Sequence, residues 1–158
     1  KAVRDTAGRD HLSWEDIGAI RRAWRGNLVI KGILSVDDAK RALAVGADGI
    51  IVSNHGGRQL DGAAAPLLVL PAIAEAVGQR LTVMMDGGIR RGSDVLIALS
   101  LGARYVFAGR PFICAAAVGG PVGVVRACQL LQAEIDRNMA MLGVCSVDEL
   151  GPHCLLSA

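Results

Sequence analysis

The chain of 158 residues is long enough for one ordinary domain, which buries roughly 68–70% of the surface exposed by its unfolded chain. Seventeen Lys and Arg against 15 Asp and Glu leave a formal charge of +2, which argues against a nucleic-acid or membrane surface built on bulk charge, so any anion site must be local. With 52% hydrophobic but only 3% aromatic residues, the core must be packed from Ala, Val, Leu and Ile, which favours helices against strands over an aromatic-rich sandwich.

In chain order, Ser13 with Asp16 resembles a capping box, and Trp14, Ile17, Ile20 and Trp24 recur at helical spacing, so a first helix is expected there. Leu28 to Ile33 reads as a strand interrupted by Lys31, and Ser35-x-x-Asp38 then caps a helix ending at Val45-Gly46. Ile50 to Val52 is the next strand, with a helix from Leu68 to Val77 behind it. Leu81 to Met85, a helix from Ser93 to Leu101, and Tyr105 to Ala108 continue the alternation. The last helix is predicted over Val122 to Leu142, with Arg126, Gln129, Glu134, Asp136 and Arg137 on its wet side.

The four cysteines, Cys114, Cys128, Cys145 and Cys154, form no C-x-x-C pair and sit among apolar residues. They are expected to be buried free thiols in a reducing cytoplasm rather than a disulfide frame or a metal site. No run of about 18 uninterrupted apolar residues exists, and the opening from Lys1 to Asp10 is charged where a secretory leader would be apolar, so a soluble cytoplasmic protein is expected.

Sliding the sequence against itself by 56 positions exposes an internal repeat. Gly32-Ile33 falls on Gly88-Ile89, Asp38 on Asp94, Ala42-Leu43 on Ala98-Leu99, and Gly46-Ala47 on Gly102-Ala103. The repeating unit is therefore β-α-β-α, and two units give four parallel strands. Such strands want helices against them and suggest half of a (β/α)8 barrel; the rival, an open doubly wound sheet, lacks its G-x-G-x-x-G turn here. Four strands leave two raw edges, so the other half must come from an absent N-terminal segment, a second chain or a dimer.

Four segments after strand ends carry the polar chemistry, where the loops of a barrel converge on one face. Lys31, in Ile30-Lys31-Gly32, calls for an anion or an electron-rich ligand atom as partner, although a lysine at a strand end can also snorkel to solvent. The patch Ser53-Asn54-His55-Gly56-Gly57-Arg58-Gln59-Leu60-Asp61 joins an imidazole, a side chain type suited to act as a base, to a guanidinium able to grip a carboxylate through two hydrogen bonds. Its glycines let backbone approach a planar ligand, and the set describes a site for an α-hydroxy acid. Asp86-Gly87-Gly88-Ile89-Arg90-Arg91-Gly92 opens a helix with glycine N–H groups and positive charge suited to an anion, and Asp86 is a candidate for sugar hydroxyls. Ala108-Gly109-Arg110-Pro111 adds Gly109 and Arg110, which together with Arg90 suit a single phosphate better than a pyrophosphate. Taken separately, the glycine loops could equally serve turn geometry and Arg110 could be a surface charge.

V-I-K-G, S-N-H-G-G-R-Q-L-D, D-G-G-I-R-R-G and G-R-P, in this order, resemble the FMN-dependent (S)-2-hydroxy-acid dehydrogenases and oxidases. The likeness covers residues 13–158 as the C-terminal half of such a barrel, with residues 1–12 as the polar tail of a preceding loop. The resemblance implies FMN as cofactor, contacted by Lys31 and Ser53 at the ring and by Asp86, Gly87, Gly88, Ile89, Arg90, Gly109 and Arg110 along the ribityl and phosphate parts. It implies His55 as the base and Arg58 as the carboxylate clamp for a lactate, glycolate or mandelate type of substrate. It also implies a homo-oligomer, a tetramer in many members, with peripheral membrane association in some. The carboxylate that pairs with the histidine and the substrate-facing tyrosines belong to the family's N-terminal half, and the sole tyrosine here, Tyr105, sits in a predicted strand.

Overall fold

The structure, a computed structural model, describes residues 12–156. The expectation for residues 1–11 lies outside the described residues. Helix α1 (Trp14–Ala23) starts at the foreseen capping box, with Asp16 Oδ2 accepting the Ser13 N–H at 2.8 Å and Ser13 Oγ accepting the Asp16 N–H. Then follow β1 (Val29–Ile33), α2 (Val36–Ala44), β2 (Gly49–Val52), α3 (Pro66–Val77), β3 (Thr82–Asp86), α4 (Gly92–Ser100), β4 (Tyr105–Phe107) and α5 (Arg110–Leu142).

The four strands form one parallel sheet in the order β1-β2-β3-β4. A doubly wound sheet reverses its strand order at a switch point, and this one does not. Its faces are also unequal. Ile50, Val52, Val83 and Met85 point toward α2, α3 and α4 and are essentially buried, together with Leu70, Ile73 and Val77 of α3. The opposite pleat carries Val29, Lys31, Ile51, Met84, Asp86, Tyr105 and Phe107, of which Val29, Tyr105 and Phe107 are 43%, 57% and 47% exposed. A singly wound sheet with helices on one face and apolar side chains standing free on the other is the arrangement of half a barrel.

The 56-residue repeat is a repeat of hydrogen bonds as well as of letters. Ala47 N–H donates to Ala42 C=O at 3.0 Å and Ala103 N–H to Ala98 C=O at 3.1 Å, while Gly46 donates to Leu43 and Gly102 to Leu99. Gly46 (φ 85°) and Gly102 (φ 101°) take the left-handed conformation that ends a helix without a Cβ penalty. Ala42 and Ala98 are both fully buried, because the helix axis passes too close to the sheet there for a larger side chain.

The structure differs from three expectations. Helix α5 begins at Arg110 rather than Val122, because the Ala-rich stretch after Pro111 also winds into helix. It breaks at Gly120 (φ 55°, ψ −143°) before Pro121. Arg126, Gln129, Asp136 and Arg137 are exposed as foreseen, but Glu134 turns inward to α4. The cysteines are free but not buried: Cys114 and Cys128 are exposed because none of α5 is buried in this chain, and beyond α5 Cys145 is exposed and Cys154 intermediate. By length and composition α5 is apolar enough to cross a membrane, although Gly120 interrupts its backbone midway.

Candidate functional site

At the end of β1 the register slips between Lys31 and Ile33, and Gly32 takes φ 97°, a bulge that only glycine adopts without strain. The bulge leaves the Lys31 ammonium between two acceptors: its Nζ lies 2.7 Å from Asp86 Oδ2 and donates to Ser53 Oγ at 2.8 Å. The anionic partner that Lys31 called for is thus supplied by the chain itself, from β3, two strands away.

Beyond β2, Ser53 is fully buried and its Oγ also accepts the His55 N–H at 3.1 Å. A hydroxyl has two acceptor sites, and both are used. Asn54 Oδ1 accepts the Gly56 N–H at 3.0 Å, and the chain turns through His55–Gly57 with His55 at φ 55°. It is the one non-glycine residue with positive φ among the described residues, a conformation costing on the order of 1–3 kcal/mol unless its surroundings enforce it. His55 Nε2 stands 2.9 Å from where a Cβ on Gly32 would lie, so the imidazole rests directly on the bulge. Arg58 follows on the same turn, its N–H donating to His55 C=O.

At the end of β3, Asp86 uses only Oδ2 on Lys31. Its Oδ1 is buried and has no hydrogen-bond partner among the described residues, an expensive state that a donor from a ligand would relieve. Gly88 (φ 82°) has open space where a side chain would stand. The start of α4 is less available to an anion than the glycine-rich sequence suggests. The Arg90 and Arg91 N–H groups both donate to Asp94 Oδ2 at 2.8 Å, and Gly92 donates to Glu134 Oε2 at 2.8 Å. The N–H groups of Gly88, Ile89, Gly109 and Arg110 find no acceptor among the described residues and remain for a ligand.

Glu134 also pairs with Arg91 at 2.9 Å. The hydrogen bond from Arg91, and then that from Gly92, hold the Glu134 carboxyl below the ordinary carboxylate range, and the same pairing raises the Arg91 guanidinium. Gly92 permits this docking, because a Cβ there would sit 2.6 Å from Ile135 N of α5.

These loops enclose a cavity of about 500 Å³. Lys31, His55 and Arg58 line it from β1 and β2; Asp86, Gly87, Gly88, Ile89 and Arg90 line it from β3; Gly109 and Arg110 line it from β4. Ser53 lies beneath, reaching the cavity through its bond to Lys31. Ile89 requires a finer statement, since its side chain is only 5% exposed and belongs to the core, which leaves its backbone N–H as the group a ligand can use. The sequence reading missed the apolar wall of Ile51, Phe107 and Ile113 and gave no role to Gln59 of the polar patch, which also lines the cavity. Alternation along β2 and β4 carried the signal for Ile51 and Phe107, because residues two apart share a face.

A flavin mononucleotide fits these groups: an apolar wall for a planar ring, an ammonium beside it, an unpartnered carboxylate oxygen for a ribityl hydroxyl, and four N–H groups with Arg90 and Arg110 for one phosphate.

Residues 1–157 match the family of FMN-dependent dehydrogenases. The chain is 52% identical over 144 residues to an L-lactate dehydrogenase of Caulobacter vibrioides, an alignment covering 91% of this chain and 38% of the relative. It is 48% identical over 156 residues to the pre-mycofactocin synthase of Mycolicibacterium smegmatis, covering 99% and 39%. Among solved structures, the monotopic membrane protein (S)-mandelate dehydrogenase superposes with a TM-score of 0.89 at 43% identity, covering 93% of this chain and 39% of that one. The chain spans about two fifths of the length of the relatives it matches. Sequence, sheet topology and the set of loops around one cavity agree that this chain belongs to the FMN-dependent dehydrogenase family.

Proposed function

We propose that this chain carries the catalytic and phosphate-binding half of an enzyme that oxidises an (S)-2-hydroxy acid to the 2-keto acid. The observation that carries the reading is the convergence of His55, Arg58, Lys31 and Asp86 on one cavity whose far side is lined by Gly88, Arg90, Gly109 and Arg110. Oxidising the C2 alcohol removes two electrons and two protons, and FMN, when bound, supplies the two-electron acceptor. Arg58 holds the substrate carboxylate by paired hydrogen bonds, which fixes the hydroxyl near His55. His55 takes the hydroxyl proton, and its rigid turn keeps the imidazole aimed as charge develops. Lys31, oriented by Asp86 and Ser53, places positive charge at the ring end of the cavity. The open edges of β1 and β4 and the bare inner face support completion of the barrel by further polypeptide, which also closes the site.

The relatives' names differ at nearly equal identity, so likeness alone does not select the substrate. The test is anaerobic titration of the flavin-loaded protein with L-lactate, glycolate and (S)-mandelate while following flavin absorbance. Bleaching by one or more of them with formation of the keto acid is expected; a flavin that binds yet is reduced by none overturns the substrate assignment.

A further inference from the structure

We propose that Asn54, which lies outside the lining of the cavity, is the positioning residue that holds His55 in its left-handed conformation over Gly32. The inference rests on the reading of His55 as the base and adds the device that aims it.

The turn bearing His55 is braced at two consecutive N–H groups. The His55 N–H is held from below by the buried Ser53 Oγ at 3.1 Å, and the Gly56 N–H is held by Asn54 Oδ1 at 3.0 Å. Between these anchors the chain has no freedom to rotate His55 back to negative φ without breaking one bond. Ser53 already serves Lys31, so its contribution to His55 cannot be separated from that to the ammonium. Asn54 has no such second duty at the cavity.

What Asn54 does have is a grip on the neighbouring loops. Its Nδ2 donates to Ala64 C=O at 3.4 Å, tying the start of the 54–65 loop to its end. Its Oδ1 stands 3.1 Å from where a Cβ on Gly87 would lie, and Pro66 Cγ stands 3.2 Å from the same point. Gly87 must therefore lack a side chain so that the Asn54 amide can wedge between the β3 loop and the start of α3. The histidine turn is thereby referenced to the loop that carries Asp86 and Gly88, and both halves of the site move as one body. Asn and Asp supply this local acceptor geometry, whereas a hydrophobic residue of equal size does not.

The test compares Asn54→Ala and Asn54→Asp with the unmodified, flavin-loaded protein. In crystal structures, Asn54→Ala is expected to release His55 from positive φ and to lift its imidazole off Gly32. Turnover should fall about 10²-fold, the penalty of misplacing a reacting group by roughly 1 Å, while FMN affinity is unchanged. Asn54→Asp keeps the acceptor for Gly56 N–H and loses only the bond to Ala64, so it should restore most of the turnover and the native His55 conformation. Should Asn54→Ala not fold, Asn54→Gly removes the same amide from a position that tolerates any backbone angle. The proposal is overturned if His55 keeps its place without the amide, or if Asn54→Asp is as impaired as Asn54→Ala. Failure of any hydroxy acid to bleach the unmodified protein would sink the functional reading instead, and the crystallographic comparison would still judge Asn54.

Discussion

The two repeat units, β1-α2-β2-α3 and β3-α4-β4-α5, share their backbone hydrogen bonds at a spacing of 56 residues yet divide the chemistry between them. The first unit ends its strands in Lys31 and in the Ser53 to Arg58 turn, groups that carry charge and bear strain. The second ends its strands in Asp86 to Arg90 and in Gly109-Arg110, where unpaired N–H groups and guanidinium charge predominate. A shared hydrogen-bond frame with interchangeable strand-end loops lets one supersecondary unit carry the proposed reacting centre in one copy and the proposed anchoring site in the other. The Lys31–Asp86 ion pair at 2.7 Å joins the two units across β2.

That division can be broken from either side. Replacing the proposed base, His55→Ala, should cost about 10²- to 10⁴-fold in turnover with FMN retained, measured by stopped-flow reduction and by flavin fluorescence; retained turnover would remove catalysis from the first unit. Next in size is Gly32→Ala, in which the new methyl meets His55 Nε2 at 2.9 Å on a backbone with φ 97°. Turnover should fall about 10²-fold through displacement of the imidazole, with Michaelis constants and pH profile as the readouts. In the second unit, Arg110→Ala should weaken FMN binding by roughly 10- to 100-fold, the loss of one charge-assisted pair, while the rate at saturating FMN stays close to normal. A fall in that rate as large as for His55→Ala would erase the distinction between the units.

The smallest effect is expected from Glu134→Gln, which loosens the clamp between α5 and the start of α4. The Glu134 carboxyl titrates below its ordinary value of 4.5 in the folded chain, so its contribution is present above that pH and is lost as pH falls through the lowered value. The variant should therefore be slightly less stable than the parent at about pH 7, and the two should converge as the pH falls through the lowered value, as read by urea midpoints. A difference that persists or grows in acid would mean that Glu134 acts through packing rather than charge.

The strand and helix alternation and the repeat were legible because apolar runs, caps and glycines recur with the period of their elements, as Ser13 with Asp16 and Gly46 with Gly102 illustrate. The candidate site was legible for the same reason, since Lys31, His55, Asp86 and Gly109 each follow an apolar run and parallel strands bring such positions together. What could not be read is what depends on distance between elements. Asp86 as the partner of Lys31 requires knowing that β3 lies two strands from β1 in a given register. Glu134, in a stretch of alternating charge, looks like any solvated face residue until Gly92 is seen to bring α4 and α5 backbones together. The exposure of Cys114 and Cys128 follows from α5 lying outside the core, a matter of which surfaces find partners and not of local composition.

The bare inner pleat of the sheet offers a practical gauge. Tyr105 is the chain's sole phenol and stands on that pleat one strand-length below the cavity, more than half open to solvent. A phenol-nitrating reagent should modify it readily in the chain alone and slowly once complementary strands fill the barrel, so its labelling rate counts closed barrels without touching the chemistry at the rim.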